Sequence, residues 1–213
     1  QLAGKQILCI EREQYAPDHH NTATLFQKEE IKEFLSLIHL NCEQLLALIS
    51  DILDLSKIES NTMVFNITEQ PLTPLLQNIL RAQQINVPQE VELLLDLPAT
   101  DTIITTDPLR LKQVINNLIN KFTSKGTVTL GYKQNNDQVS IFVKDTGTGI
   151  DEDKINRIFE RFYKGDNFVQ GTGLGLAISH TIIEHLKGTI TVTSKVGEGS
   201  CFTIQHPVKK MGY

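Results

Sequence analysis

Apolar residues recur alternately four and three apart from Lys28 to about Glu59, where Ile31, Leu35, Ile38, Cys42, Leu45, Ile49 and Ile52 form a heptad seam. A second line, with Phe34, Leu48 and Leu55, widens the stripe beyond what a two-stranded coil buries. The spacing therefore predicts a long helix that joins a four-helix arrangement, against the plainer reading of an internal helix in a globular domain. Ahead of it, Gln6-Ile7-Leu8-Cys9-Ile10 fits a helix end or a short strand, and Ala16-Pro17-Asp18-His19-His20-Asn21-Thr22 reads as a loop.

After Ser60-Asn61 the period changes. Met63-Val64-Phe65-Asn66-Ile67, Val91-Glu92-Leu93-Leu94-Leu95 and Thr102-Ile103-Ile104-Thr105 read as strands, with a helix opened by Pro74 and running to about Gln84. Asp107 is placed to cap a helix from Pro108 to about Asn120 whose apolar face is Leu111, Val114, Ile115 and Leu118. Thr127 to Lys133 and Gln138 to Lys144 alternate like paired strands across Asn135-Asn136-Asp137. A helix near Gly173 to Leu186 precedes a hairpin, Thr189–Thr193 and Ser200–Ile204, across Gly197-Glu198-Gly199. The expected fold is an α/β (α+β) two-layer sandwich over residues 61–213, preceded by a helical segment over 1–60.

At 213 residues the chain has room for two such units. Its net charge of −5 argues against a nucleic-acid partner, which needs concentrated Lys and Arg. The three cysteines, Cys9, Cys42 and Cys201, are far apart and read as reduced, mostly buried thiols. His19 and His20 lack further ligands at useful spacing for a metal site. The longest apolar run, Leu45 to Ile49, ends at Ser50-Asp51, short of the roughly 20 residues a membrane span needs. The piece reads as soluble, with no membrane contact of its own, and Gln1 suggests a fragment of a longer parent chain.

Two glycine-rich segments carry the chemistry. Gly171-Thr172-Gly173-Leu174-Gly175 runs into a helix, where unpaired N–H groups and the helix dipole favour phosphate. It is neither a Walker A loop, lacking Gly-Lys-Ser or Gly-Lys-Thr, nor a dinucleotide fingerprint, lacking a strand directly before it. Asp145 follows the strand Val139–Val143 and can accept a hydrogen bond from an exocyclic amine such as that of adenine. Gly147 and Gly149 let the backbone turn tightly beside a flat base. Either segment alone could be an ordinary tight turn; their order makes that reading unattractive.

An Asn-rich helix, Asp145-Thr146-Gly147-Thr148-Gly149, then Ile158-Phe159-Glu160-Arg161-Phe162, then Gly171-Thr172-Gly173-Leu174-Gly175-Leu176-Ala177 resembles the catalytic domain of two-component sensor histidine kinases. That domain belongs with the chaperone, gyrase and mismatch-repair ATPases (the GHKL group), and Asp54-Leu55-Ser56-Lys57-Ile58-Glu59 resembles the end of the second dimerisation helix in the kinases alone. The resemblance covers nearly all of residues 28–207. It implies ATP and Mg2+ as cofactors, a homodimer through the helical segment, a response regulator receiver domain as partner, and a cytoplasmic location with any membrane anchor elsewhere in the parent. It further implies that Asp145 binds the adenine amine, with Gly147, Gly149 and Ile150 shaping the base pocket. Thr172, Gly173, Leu174 and Gly175 would line the phosphates beneath a lid from Phe159 through Gln170 that carries Lys164. Asn117, Asn120 and Lys121 are candidates for phosphate contact, with Asn120 the candidate magnesium ligand, for which an amide oxygen is a suitable hard donor. A solvated helix face is the plainer reading of these Asn residues.

Two features depart from the family. Asn117-Leu118-Ile119-Asn120 runs straight into Lys121-Phe122, three residues fewer than the family's helix, which shortens it by about 4.5 Å and rotates the downstream residues by about 60°. The Lys and the magnesium Asn then cannot both keep family geometry. The family's acceptor histidine, within His-Glu/Asp, one residue, Arg, one residue, Pro, has no counterpart among His19, His20, His39, His180, His185 and His206. Two alternatives to the kinase stay open: a catalytically inactive nucleotide-binding or dimerisation module, and an ATPase of the chaperone or mismatch-repair class. The latter needs a water-activating Glu early in the Asn helix, and Thr105 to Asn120 offers none.

Overall fold

The structure is a computed structural model that describes residues 19–84, 87–88, 90–119, 126–163 and 172–208, with side chains from Glu30 onward. Helix α1 spans His19–Glu59 without interruption. It starts inside the stretch that reads as a loop, because no Gly or Pro follows Pro17 until after Glu59 to break the helix.

The chain divides into compact units at residues 1–46 and 47–213. In the first, Ile31, Leu35, Ile38 and Leu45 of α1 are each more than half exposed, so the heptad seam is uncovered among the described residues. Cys42 lies on that seam and is exposed, contrary to the buried thiol expected of it, whereas Cys201 is half-buried. By length and composition Glu30–Glu59 is long and apolar enough to cross a membrane, which the run-length criterion missed because its apolar residues are interspersed with polar ones. The heptad spacing and the polar partners of Asp51 and Asp54 fit packing against protein instead.

The second unit takes in the last turns of α1, because Leu55 and Ile58 pack on its core. It continues through β1 (Thr68–Pro71), α2 (Leu72–Gln83), β2 (Val91–Asp96), β3 (Ile103–Thr106), α3 (Pro108–Ile119), β4 (Gly126–Asn135), β5 (Gln138–Asp145), α4 (Glu152–Ile155), α5 (Gly175–His185), β6 (Thr189–Lys195) and β7 (Gly199–Pro207). The main sheet has the order β2-β4-β5-β7-β6, with β2 parallel to β4 and the other pairs antiparallel; β1 and β3 form a separate antiparallel pair. One face of the sheet is the core. Val128, Leu130 and Tyr132 of β4, Val139, Ile141 and Val143 of β5, and Phe202 and Ile204 of β7 alternate with outward residues. Against them lie Leu72, Leu76 and Ile79 of α2, Leu111, Val114, Ile115 and Leu118 of α3, and Ile178, Ile182 and Ile183 of α5, completing the two-layer sandwich.

Met63–Ile67 is not a strand: the ladder begins at Thr68. Met63 and Phe65 are nonetheless partly buried and pack against the core, and the Phe65 ring stacks on His185 at 5.1 Å. An extended segment that buries every second side chain imitates a strand in sequence without the ladder hydrogen bonds. Asp107 caps α3 as expected, accepting from the Leu109 and Arg110 N–H groups at 2.9 and 3.1 Å, while its other oxygen accepts from Asn66 N–H at 2.8 Å. Asp101 does similar work at α2. Its Oδ1 accepts from Thr73 N–H at 2.9 Å and Thr102 N–H at 2.8 Å, and burial, which raises its pKa, is outweighed by hydrogen bonds from Thr73, Thr102 and Tyr132, leaving the carboxyl below its usual value.

Candidate nucleotide site

Asp145 is the last residue of β5, and its side chain is buried at 4% exposure. Its Oδ1 accepts from the Gly147 N–H at 2.7 Å, which fixes the carboxylate over the start of the turn. The β6–β7 hairpin holds the rest of the turn from the side. Gly149 has φ +71° and its missing Cβ would lie 2.1 Å from the Lys195 carbonyl oxygen; Gly199 has φ +99° and would meet the Asp145 carbonyl oxygen at 2.1 Å. Only glycine satisfies both the close approach and the left-handed backbone. The Ile150 N–H donates to Ser194 Oγ at 2.8 Å, Ser194 Oγ donates to the Gly199 carbonyl at 2.9 Å, and the Gly197 N–H donates to the Thr148 carbonyl at 2.8 Å.

The second glycine segment is anchored differently. Gly173 has φ +73°, and its carbonyl accepts from the Phe162 N–H at 2.9 Å, so Phe162 is tied to the loop. The Leu174 N–H donates to Thr172 Oγ1 at 3.1 Å, and the Thr172 hydroxyl donates to Asp51 Oδ2 of α1 at 2.6 Å. Leu174, at the N-cap of α5, offers no side-chain cap, and the first turn contains no acidic residue. Its first-turn N–H groups therefore keep their affinity for an anion. Asn117 on α3 ties this helix start to its neighbour, donating through Nδ2 to the Gly175 carbonyl and Ser179 Oγ, both at 3.3 Å. Adjacent to it in sequence, Asn116 Oδ1 is buried without a hydrogen-bond partner among the described residues.

Residues 106–210 match the family model described as histidine kinase-, DNA gyrase B-, and HSP90-like ATPase. The chain is 36% identical over 190 residues to the circadian input-output histidine kinase CikA of Synechococcus elongatus, which covers 84% of this chain and 25% of that protein. Among solved structures, full-length ShkA in complex with AMPPNP superposes with a TM-score of 0.75 at 25% identity, covering 86% of this chain and 40% of that one. This chain belongs to the sensor histidine kinases. Histidine kinase ThkA in complex with the response regulator protein TrrA shares the fold, with a TM-score of 0.66 at 21% identity over 84% of this chain and 52% of that one. The chain spans a quarter or less of the curated relatives it matches.

Within this kinase chain, Asp145, Gly147, Gly149 and Ile150 form one locked turn, and Thr172, Gly173, Leu174 and Gly175 form the entry to α5. Ile150 and Leu174 are buried in the core. Asn117 is brought to the start of α5. Asn120, Lys121 and Lys164 lie outside the described residues, as does Gly171. Sequence reading missed two groups. Gly199 figured only as part of a hairpin turn, and Ser194, just past the expected strand Thr189–Thr193, was not singled out. Asp51 figured only as the end of an apolar run, and Asp54 and Glu59 only as part of the dimerisation-helix resemblance. Asp54 instead accepts from Arg110 Nη1 at 3.2 and 3.3 Å and from Gln113 Nε2 at 2.8 Å, and Glu59 pairs with Arg161. Their spacing, with Leu55 and Ile58 between, is the signal that could have revealed a docking face.

Proposed function

We propose that the chain is the ATP-binding part, with adjoining stalk helix, of a sensor histidine kinase in a two-component system. Such a protein transfers the γ-phosphoryl group of ATP to a histidine and then to an aspartate of a response regulator. The observation that carries the reading is the buried Asp145, held by Gly147 at the end of β5, in a chain whose α5 begins uncapped behind a second glycine loop.

The Asp145 carboxylate, fixed over the turn by the Gly147 N–H, is the acceptor for the adenine 6-amino group. Guanine presents a carbonyl there, and two acceptors facing each other repel. The α5 N–H groups and the Thr172 hydroxyl receive the phosphates. Magnesium fits the donors at hand: Asn116 has an orphaned buried amide oxygen, and Asn117, its nitrogen engaged with Gly175 and Ser179, has an amide oxygen to offer. Asn120 is the ligand implied by family resemblance. When bound, the ion would supply neutralisation of the phosphate charge; the chain's own residues position the donor, on which phosphoryl transfer chiefly depends.

The exposed heptad seam of α1 supports a homodimer through that helix, since lone exposure of so many large apolar residues is costly. ThkA was solved with a response regulator, which supports a receiver domain as the onward partner. The inactive-module alternative keeps the same pocket and differs only in phosphoryl transfer. The test is displacement of a fluorescent ATP analogue from this chain. ATP should compete and GTP should not at tenfold higher concentration; equal competition by GTP overturns the adenine assignment.

A further inference from the structure

The Thr172 hydroxyl has one proton, and Asp51 holds it. Oγ1 donates to Asp51 Oδ2 at 2.6 Å while accepting from the Leu174 N–H at 3.1 Å. A phosphate oxygen recruited by this hydroxyl must displace the carboxylate. The backbone that carries Asp51 is also held in place. Three residues on, Asp54 is clamped by Arg110 and Gln113 of α3, and Leu55 and Ile58 pack on the core, so one face of the last turns of α1 is docked. Because α3 in turn holds the Gly175 carbonyl through Asn117, the helix end, the Asn helix and the start of α5 form one hydrogen-bonded assembly.

We propose that Asp51 sets the affinity of the glycine loop for nucleotide phosphates, so that ATP binding and docking of the last turns of α1 oppose one another. The inference rests on the nucleotide-binding reading of this loop. A phosphate oxygen at hydrogen-bond distance from Thr172 Oγ1, about 2.8 Å, lies within roughly 6 Å of the Asp51 oxygen, which itself stands 2.6 Å from Oγ1. Like charges that close, in a partly buried site, repel strongly, and salt trims the effect. By linkage, a ligand that must break the Asp51–Thr172 bond weakens docking by the same factor that docking weakens the ligand. The adenine end of the site, at Asp145, does not touch α1 through this bond and is unaffected.

The test is calorimetric titration of the unaltered chain, Asp51→Asn and Asp51→Ala with AMPPNP and with adenosine, which lacks phosphates. Asn removes the charge with little change of shape, and Ala, a good helix former, serves should Asn fold poorly. Both variants should bind AMPPNP about five- to tenfold more tightly at low salt, with the gain shrinking as salt rises and adenosine affinity unchanged. Equal or weaker AMPPNP binding by the folded variants overturns the proposal, as does an equal gain for adenosine. Absence of AMPPNP binding by all three proteins overturns the nucleotide reading and this inference with it.

Discussion

Replacing Asp54 with alanine removes the acceptor of three hydrogen bonds, two from Arg110 Nη1 and one from Gln113 Nε2. The pair is largely dry, with side-chain exposures of 17% for Arg110 and 9% for Asp54. Breaking a fully buried ion pair by deleting one partner costs about 3–5 kcal/mol, because the other charge is left uncompensated. Arg110 keeps some water and still donates to Gln113 Oε1 at 2.9 Å, so the cost is smaller; about 2–3 kcal/mol is expected. The sign is informative. On an exposed helix face Asp→Ala stabilises by about 0.5 kcal/mol through helix propensity. Urea denaturation of the single variants Asp54→Ala and Arg110→Met and of the double variant measures both the loss and the coupling, which should be about 2 kcal/mol. Unchanged or increased stability of Asp54→Ala, or a coupling below about 0.5 kcal/mol, refutes the docking of α1 on α3.

The hairpin strap over the acidic-glycine turn is tested by Gly149→Ala, whose Cβ would lie 2.1 Å from the Lys195 carbonyl oxygen at φ +71°. A loss of about 2–4 kcal/mol is expected, read as a fall of roughly 5–12 °C in Tm; a fall under about 2 °C contradicts the close approach. His206 is fully buried, its Nδ1–H donates to the Pro207 carbonyl at 2.8 Å, and Nε2 has no partner among the described residues. Burial pushes its pKa below the usual 6.5 and the Pro207 bond only partly offsets this, so the unfolded chain takes up the proton first. Its contribution to stability is therefore intact above pH 6.5 and declines as pH drops from there through the lowered folded value. His206→Phe should flatten the dependence of unfolding free energy on pH between about 7.5 and about 5.5, and identical slopes in the two proteins would contradict a buried neutral imidazole.

Much of the second unit was legible in sequence because each element announces itself by one-sided burial. α3 combines a capping Asp107 with an apolar stripe, and β4 and β5 alternate across a polar turn. Each glycine segment contains a position, Gly149 or Gly173, whose positive φ leaves few alternatives to glycine, which made it legible. What escaped depended on partners distant in sequence. Asp54 meets Arg110 and Asp51 meets Thr172, and nothing local distinguishes either carboxylate from a solvated one. Met63–Ile67 misled because burial alternates whether or not a ladder partner exists. His19–Thr22 misled because a polar, breaker-free stretch can continue a helix as readily as it can loop, and Pro17-Asp18 is also a helix-start signal.

Titration of a fluorescent ATP analogue into the unaltered chain and Asp145→Asn, each verified as cooperatively folded, is the most direct test of nucleotide recognition. The Gly147 N–H, 2.7 Å from Oδ1, needs an acceptor there. Asparagine replaces one of the two carboxylate acceptors with an NH2 donor and removes the charge, which weakens acceptance from the adenine amine. Saturable binding by the unaltered chain and its loss in Asp145→Asn is the predicted result; the same affinity in both proteins would contradict it.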